Sequence, residues 1–312
     1  MADILFIKTS SLGDVIHHMP ALTEARARRP DARFHWVVEE AYAPLVRLHP
    51  AVERVISVAW RRWRHQLHRV QARRELAAFV GELRDRVFDD VIDTQGLIRT
   101  GLIARLARGK RHGYDAASIK ERAASWLYDV KHAVPRPLHA IERNRLLTAR
   151  ALGYEIAGQA DYGLDRRRLA APGSRYGVLL HATARREKQW PEDHWRALVQ
   201  MLGREFDLVV PFGTAEERAR SERIAAGIAR VPDFQPLGEM AKTIAGAAFV
   251  VGVDTGLLHL AAALGVPLVA LYGHSDPKLT GPCGPGPIKL LCATAGQHHS
   301  AADVAAAVRE IL

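Results

Sequence analysis

Short runs of consecutive apolar residues alternate along this chain with longer stretches in which apolar positions recur at helical spacing. In the first half, the runs at 4–8, 34–38, 54–58 and 89–93 predict strands, and the patterns near 15–29, 41–48, 71–86, 97–107, 117–128 and 138–151 predict helices. The second half repeats the alternation, with strands at 177–181, 207–211, 249–253 and 267–272 and helices near 192–203, 215–229, 241–247, 257–264 and 300–312. Strands separated by helices of this length pair in parallel through right-handed crossovers. The expected fold class is therefore α/β, with two Rossmann-like, doubly wound domains.

The polar, turn-rich stretch from Asp165 to Ser174 (Asp165-Arg166-Arg167-Arg168-Leu169-Ala170-Ala171-Pro172-Gly173-Ser174) reads as a linker. This gives a first domain over 1–168, a second over 175–298, and a closing helix over 299–312 that is a candidate to cross back onto the first. Two such domains facing one another would set the carboxyl ends of their strands on a central cleft, where ligands of doubly wound folds bind.

Composition adds exclusions. With 48% hydrophobic and 25% charged residues among 312, the chain reads as soluble and globular. It has no apolar run near the ~20 residues of a membrane span, no basic-then-apolar leader, and two cysteines, Cys283 and Cys292, too few for a disulfide framework. A cytoplasmic protein is expected. The net charge of +10 is uneven: residues 1–170 hold 30 Lys and Arg against 20 Asp and Glu, while 171–312 hold 14 of each. The basic half is expected to meet an anionic partner, whether nucleic acid, a membrane surface or an acidic small molecule.

Four groups could carry chemistry. Lys8-Thr9-Ser10-Ser11-Leu12-Gly13-Asp14 follows the first strand and opens a helix. Asp14 there is either a helix cap or, with Gly13 allowing close approach and Lys8 keeping it ionised, a base. Asp254-Thr255-Gly256-Leu257-Leu258-His259 also follows a strand, and its helix start suits a diphosphate, with His259 projecting from the first turn. His181-Ala182-Thr183 and the loop to Trp190-Pro191 place Lys188 as a point-charge phosphate contact or as part of a solvated loop. Arg61-Arg62-Trp63-Arg64-His65, with His68, Arg69, Arg73 and Arg74 beyond, reads as a basic surface helix, a nucleic-acid contact or an Arg grip on an anionic glycolipid. No Asp-x-Asp, dinucleotide glycine fingerprint or Walker loop occurs, and His65 and His68 lack nearby carboxylates, so no metal site is expected.

Taken in order, these groups resemble the bacterial ADP-heptose:lipopolysaccharide heptosyltransferase family. Further markers are Trp36-Val37-Val38-Glu39-Glu40, Val52-Glu53-Arg54-Val55-Ile56, Asp93-Thr94-Gln95-Gly96-Leu97 and Val253-Asp254-Thr255-Gly256, and the likeness spans nearly the whole chain. The Arg-Arg-Trp-Arg cluster and the Lys-Thr-Ser-Ser start favour the branch that adds the first heptose. The resemblance implies a GT-B glycosyltransferase fold and inverting transfer of L-glycero-D-manno-heptose from its ADP form to a Kdo sugar of Kdo2-lipid A. It implies no required cofactor or metal, no nucleic acid, and a place on the anionic cytoplasmic face of the inner membrane. Asp14 matches the catalytic base; Ser10, Thr183, Lys188, Asp254, Thr255, Gly256 and His259 match donor contacts; Arg61, Arg62 and Arg64 match acceptor contacts. An acidic residue near Gly213 maps to Glu216 on the donor side, and Lys120 takes an acceptor-side position often held by Arg. Ala184 stands where the family often carries a second Thr. The rival reading of another class is a basic nucleic-acid-binding protein, whose binding would be salt-sensitive and indifferent to Asp14. Within the enzyme class, the rival is a different ADP-sugar transferase.

Overall fold

The computed structural model describes residues 1–170, 175–183, 185–273, 277–294 and 297–312. The chain divides into two compact units, Met1–Gly163 and Leu164–Leu312.

In the first unit, strands β1 (Asp3–Ile7), β2 (Arg33–Glu39), β3 (Val52–Val58), β4 (Val87–Asp93), β5 (Arg108–Tyr114) and β6 (Val130–His132) form a sheet in the order β3-β2-β1-β4-β5-β6, parallel throughout. β1 is buried at every position, as a central parallel strand covered on both faces requires. Helices α1 (Leu12–Ile16), α2 (Met19–Arg28), α3 (Ala43–Val46), α4 (Trp60–Trp63), α5 (Val70–Arg84), α6 (Ile98–Leu106) and α7 (Ala140–Leu152) connect the strands, and Phe6, Phe34, Trp36 and Phe88 fill the core.

The second unit opens with α8 (Arg166–Leu169) and carries β7 (Tyr176–Leu180), β8 (Asp207–Val209), β9 (Phe249–Val253), β10 (Leu268–Tyr272) and β11 (Ile288–Cys292) in the order β11-β10-β9-β7-β8, again parallel. Its other helices are α9 (Glu192–Leu202), α10 (Ala215–Ala225), α11 (Leu237–Gly246), α12 (Gly256–Ala263), α13 (Pro277–Thr280) and α14 (Ala301–Ile311).

Both sheets reverse their winding once. The chain runs from β1 outward through β2 and β3, then returns to β4 and runs the other way, so the reversal falls between β1 and β4. In the second sheet it falls between β7 and β9. Loops leaving neighbouring strands in opposite directions at such a point leave a crevice beyond the strand ends, which is where doubly wound folds bind ligands.

Several expectations are corrected. The division falls at Gly163 and Leu164, before the anticipated linker. Asp165 caps α8, and Arg166 spreads its guanidinium over the carbonyls of Ala245, Gly265 and Ala247, which binds this segment to the second unit. Residues 171–174 of the anticipated linker lie outside the described residues. The closing helix, a candidate to cross back onto the first domain, is part of the second unit. Ala301, Val304, Ala305 and Val308 of α14 enter the second unit's core with Leu198, Leu202 and Val269. The helix expected over 15–29 is two, because Pro20 lacks an N–H and sits in the first turn of α2, after a break at His17 and His18. The helix expected over 117–128 shrinks to a 3₁₀ turn at Arg122–Leu127, since Glu121 spends its backbone N–H on Gly96 and its carboxylate on the N–H of Ile98. β5, β6 and β11 went unpredicted.

Candidate active site

The loop after β1 is held from below. Lys8 is buried and donates to the Thr94 carbonyl (2.9 Å) and to Asn144 Oδ1 (3.4 Å). Burial pulls its pKa below the ordinary lysine value, and the nearby Asp14 and Asp93 carboxylates oppose that shift. The backbone N–H groups of Thr9 and Ser10 both donate to Gln95 Oε1 at 3.2 Å, and Arg99 donates to Ser10 Oγ at 2.9 Å. The loops after β1 and β4, adjacent in space and far apart in sequence, thus form one surface.

Asp14 is half-buried at the third position of α1. The cap residue is Ser11, whose N–H (2.8 Å) and hydroxyl (3.2 Å) both donate to Asp14 Oδ2. Among the described residues, Oδ1 accepts no hydrogen bond. Capping therefore occupies one oxygen of the carboxylate and leaves the other open. Beneath it, Asp93 is fully buried, accepting from the N–H groups of Gln95 (2.8 Å) and Gly96 (3.2 Å) and from the Tyr128 hydroxyl (2.7 Å). Burial raises its pKa against those hydrogen bonds.

Lys120 is exposed and close enough to oppose the Lys8 charge, so it belongs to the same surface. The arginine segment joins it through Glu39, whose N–H donates to the Thr9 carbonyl and whose Oε1 accepts the Arg61 N–H at 3.0 Å. Burial raises the Glu39 pKa, opposed by Arg61 and Arg99. Arg61 and Arg64 are exposed, with the Arg61 guanidinium 5.3 Å from the Tyr42 ring centroid. Arg62 is engaged inward, donating to both oxygens of Glu40 (3.1 Å each) and to Glu75 (2.6 Å).

The reversal point of the second unit gathers most donor-side candidates. Lys188 forms an ion pair with Asp254 Oδ2, Thr183 donates to the Asp254 carbonyl at 3.2 Å, and His259 Nε2 lies 3.9 Å from Asp254 Oδ1. Thr255 caps α12 without a side-chain hydrogen bond, so the first-turn N–H groups beside Gly256 are available to an anion. Glu216 lies on the first turn of α10, exposed, and with Thr183, His181 and Arg220 lines a depression of about 680 Å³. Its neighbour Glu217 is committed to the helix start, accepting the Gly213 N–H at 2.7 Å. Ala184 lies outside the described residues. Among the described residues, no three His, Cys, Asp or Glu side chains converge as a metal site would.

Sequence reasoning singled out candidates at the strand ends and left the side chains that brace them unassigned. Gln95, Asn144 and Arg99 act over separations of 85, 136 and 89 residues. The string Asp93-Thr94-Gln95-Gly96 was the one available signal for the first of these.

Two parallel, doubly wound α/β units in succession are the architecture of the GT-B-like class of glycosyltransferases, and solved heptosyltransferases of that fold superpose on the chain. A model of glycosyltransferase family 9 (heptosyltransferase) matches residues 76–303, and the chain belongs to that family. It is 43% identical to lipopolysaccharide heptosyltransferase 1 of Escherichia coli strain K12, over 93% of this chain and 92% of the relative. It is 45% identical to lipopolysaccharide heptosyltransferase 1 of Pseudomonas aeruginosa, over 92% of this chain and 83% of the relative. Among solved structures, Escherichia coli heptosyltransferase WaaC with ADP matches with a TM-score of 0.93 and 39% identity, covering 99% of this chain and 100% of that one.

Proposed function

We propose that this heptosyltransferase moves L-glycero-D-manno-heptose from ADP-heptose to a Kdo sugar of Kdo2-lipid A in lipopolysaccharide inner-core assembly, inverting the anomeric carbon. Relatives named lipopolysaccharide heptosyltransferase 1 and the likeness to WaaC solved with ADP-2-deoxy-2-fluoro heptose support the substrate class. The observation that carries the mechanism is the divided carboxylate of Asp14.

In this reading, Oδ1 of Asp14 takes the proton of the acceptor hydroxyl as its oxygen attacks the anomeric carbon and the bond to ADP breaks. Ser11 holds Oδ2 and so aims the group. The charge that develops on the departing diphosphate is met by Lys188 and by the N-terminus of α12. In the free protein Lys188 is paired with Asp254, so the donor diphosphate replaces that carboxylate as its partner. Asp254 and His259 then turn to the sugar, and Thr183, Thr255, Gly256, Glu216 and Ser10 complete the donor contacts. Arg61, Arg64 and Lys120 meet the anionic acceptor, while Arg62 orders their segment. Transfer is metal-independent, nucleic acid is not a partner, and the protein works in the cytoplasm against the anionic face of the inner membrane, each basic residue near that surface adding about 1 kcal/mol.

The test is transfer with purified ADP-heptose and Kdo2-lipid A, set beside ADP-mannose and ADP-glucose and repeated with a chelator. Heptose is expected to be preferred and the chelator to have no effect. Asp14→Asn should lose on the order of 10²–10⁴ in turnover with donor binding nearly intact. Near-wild-type turnover by the Asn variant would remove Asp14 as base, and faster transfer from another ADP-sugar would overturn the substrate.

A further inference from the structure

Trp126 is 81% exposed, an unusual state for the largest apolar side chain. It does not stand alone. Leu127, the next residue, lies over Gly101 in the middle of α6, where an added Cβ would meet its Cδ1 at 2.6 Å. Ile98 and Leu102, four residues apart, share a face of α6 adjoining the buried Gly101, and they are 45% and 51% exposed. Glu121, at the other end of the 3₁₀ segment, holds the N–H of Ile98 at 2.6 Å, so the two segments run side by side. An apolar patch of Ile98, Leu102 and Trp126 therefore faces outward from the first unit.

The charges around the patch have one sign left over. Arg105, three residues beyond Leu102, and Arg122 are exposed. Against them stand Glu121, which accepts the Ile98 N–H and keeps its charge, and Asp129, whose pKa is lowered chiefly by its hydrogen bond to Arg111 and also by the Arg105 charge, so three arginines meet two carboxylates. An outward tryptophan near exposed aliphatic side chains, with arginines in excess of carboxylates around them, matches the boundary of an anionic bilayer, where the indole sits at headgroup level and the cations meet lipid phosphates. Among the described residues no helix is long and apolar enough to cross a membrane, so any hold on a bilayer must come from a surface of this kind.

We propose that Ile98, Leu102 and Trp126, rimmed by Arg105 and Arg122, form the face by which the protein inserts shallowly into anionic phospholipid. This rests on the membrane placement proposed above and specifies the surface. It also has a geometric reason: Arg99, beside Ile98 in the first turn of α6, is the residue that reaches Ser10. A bilayer seated on α6 thus lies next to the loop that receives a lipid-borne acceptor.

The test is co-sedimentation of the full chain with vesicles of phosphatidylethanolamine and phosphatidylglycerol, and with phosphatidylcholine vesicles as the neutral control. Wild type is expected to bind the anionic vesicles, Trp126→Ala to bind them about tenfold more weakly, and Leu102→Gln to weaken binding similarly. Turnover on a deacylated acceptor is expected to be unchanged in both variants. Wild type that ignores anionic vesicles would overturn both this proposal and the membrane placement. Wild type that binds while both variants bind equally well would overturn this surface alone. A change in the variants' sedimentation coefficient, with vesicle binding intact, would assign the patch to self-association instead.

Discussion

The Ser11 and Asp14 pair sets the geometry of the carboxylate proposed as base from three residues away, through a helix cap. The arginines show the opposite arrangement, with local charge matching deciding which of them remain available. Arg62 is surrounded by Glu40 and Glu75, which hold it charged, while Arg61 and Arg64 face outward. Replacing Arg61 or Arg64 by Ala should raise the acceptor KM about 5- to 15-fold with the donor KM unchanged, as expected for losing one charge-assisted hydrogen bond. Arg62→Ala should act differently, opening the 60–69 segment to limited proteolysis before it alters the acceptor KM by as much. Steady-state kinetics with varied acceptor, run beside a protease time course, would check both. At this scale the sequence could single out the strand-end candidates, because polar residues between a strand's carboxyl end and a helix stand where doubly wound folds bind ligands. Their supports were not legible. Nothing local to Gln95 or Asn144 indicates that each will serve a loop on the far side of the chain.

Among elements, β5 shows why a strand can escape its own sequence. Arg108-Gly109-Lys110-Arg111-His112-Gly113-Tyr114 has neither an apolar run nor alternation. It becomes a strand because β4 and β6 supply partners on both sides, and because its glycines admit neighbours that no side chain would. A Cβ at Gly113 would lie 2.3 Å from the Tyr128 ring, and Tyr128 is the residue whose hydroxyl holds Asp93. Gly113→Ala should therefore cost about 1–3 kcal/mol in urea unfolding, typical of overpacking. It should also lower turnover, because the Asp93 contact beneath the β4 loop is displaced. Unchanged stability with normal turnover would mean the ring relaxes at no cost. The strands that were legible, β1, β7, β9 and β10 among them, are those whose burial on both faces writes an apolar run into the sequence.

For the whole molecule, stability against acid follows from histidines kept neutral by burial. His49 and His181 each have a pKa pushed down to about 4, chiefly by desolvation. His49 accepts the Ala51 N–H on Nδ1, and His181 approaches Ser221 Oγ at 2.7 Å through Nε2 while its Nδ1 is buried without a partner. Neither ring can take a second proton without losing a hydrogen bond or burying an unmet N–H. The unfolded chain binds those protons near pH 6.5, so the contribution of these two rings to stability falls as pH drops from there toward 4, by on the order of 2–3 kcal/mol for each ring, and carboxylates held below their ordinary pKa extend the loss to lower pH. Urea midpoints measured between pH 7.5 and 4.5 should show the slope, and His181→Gln should flatten it. A slope unchanged by that variant would place the linkage elsewhere. The alternation of strands and helices made two doubly wound units legible from sequence, but the place of division was not. Asp165 to Ala170 reads as a spacer until Arg166 is seen gripping three carbonyls distant in sequence.

That grip gives the second unit a beginning of its own. Because its clasp lies at Arg166, upstream of its first strand, the unit is modular only when α8 travels with it. A gene fragment opened at 164 keeps its fastening, whereas one opened at 175, where the first strand seems to invite the cut, strips the carbonyls of Ala245, Ala247 and Gly265 of their donor. Exchange of second units among related enzymes has its natural seam on the near side of those arginines.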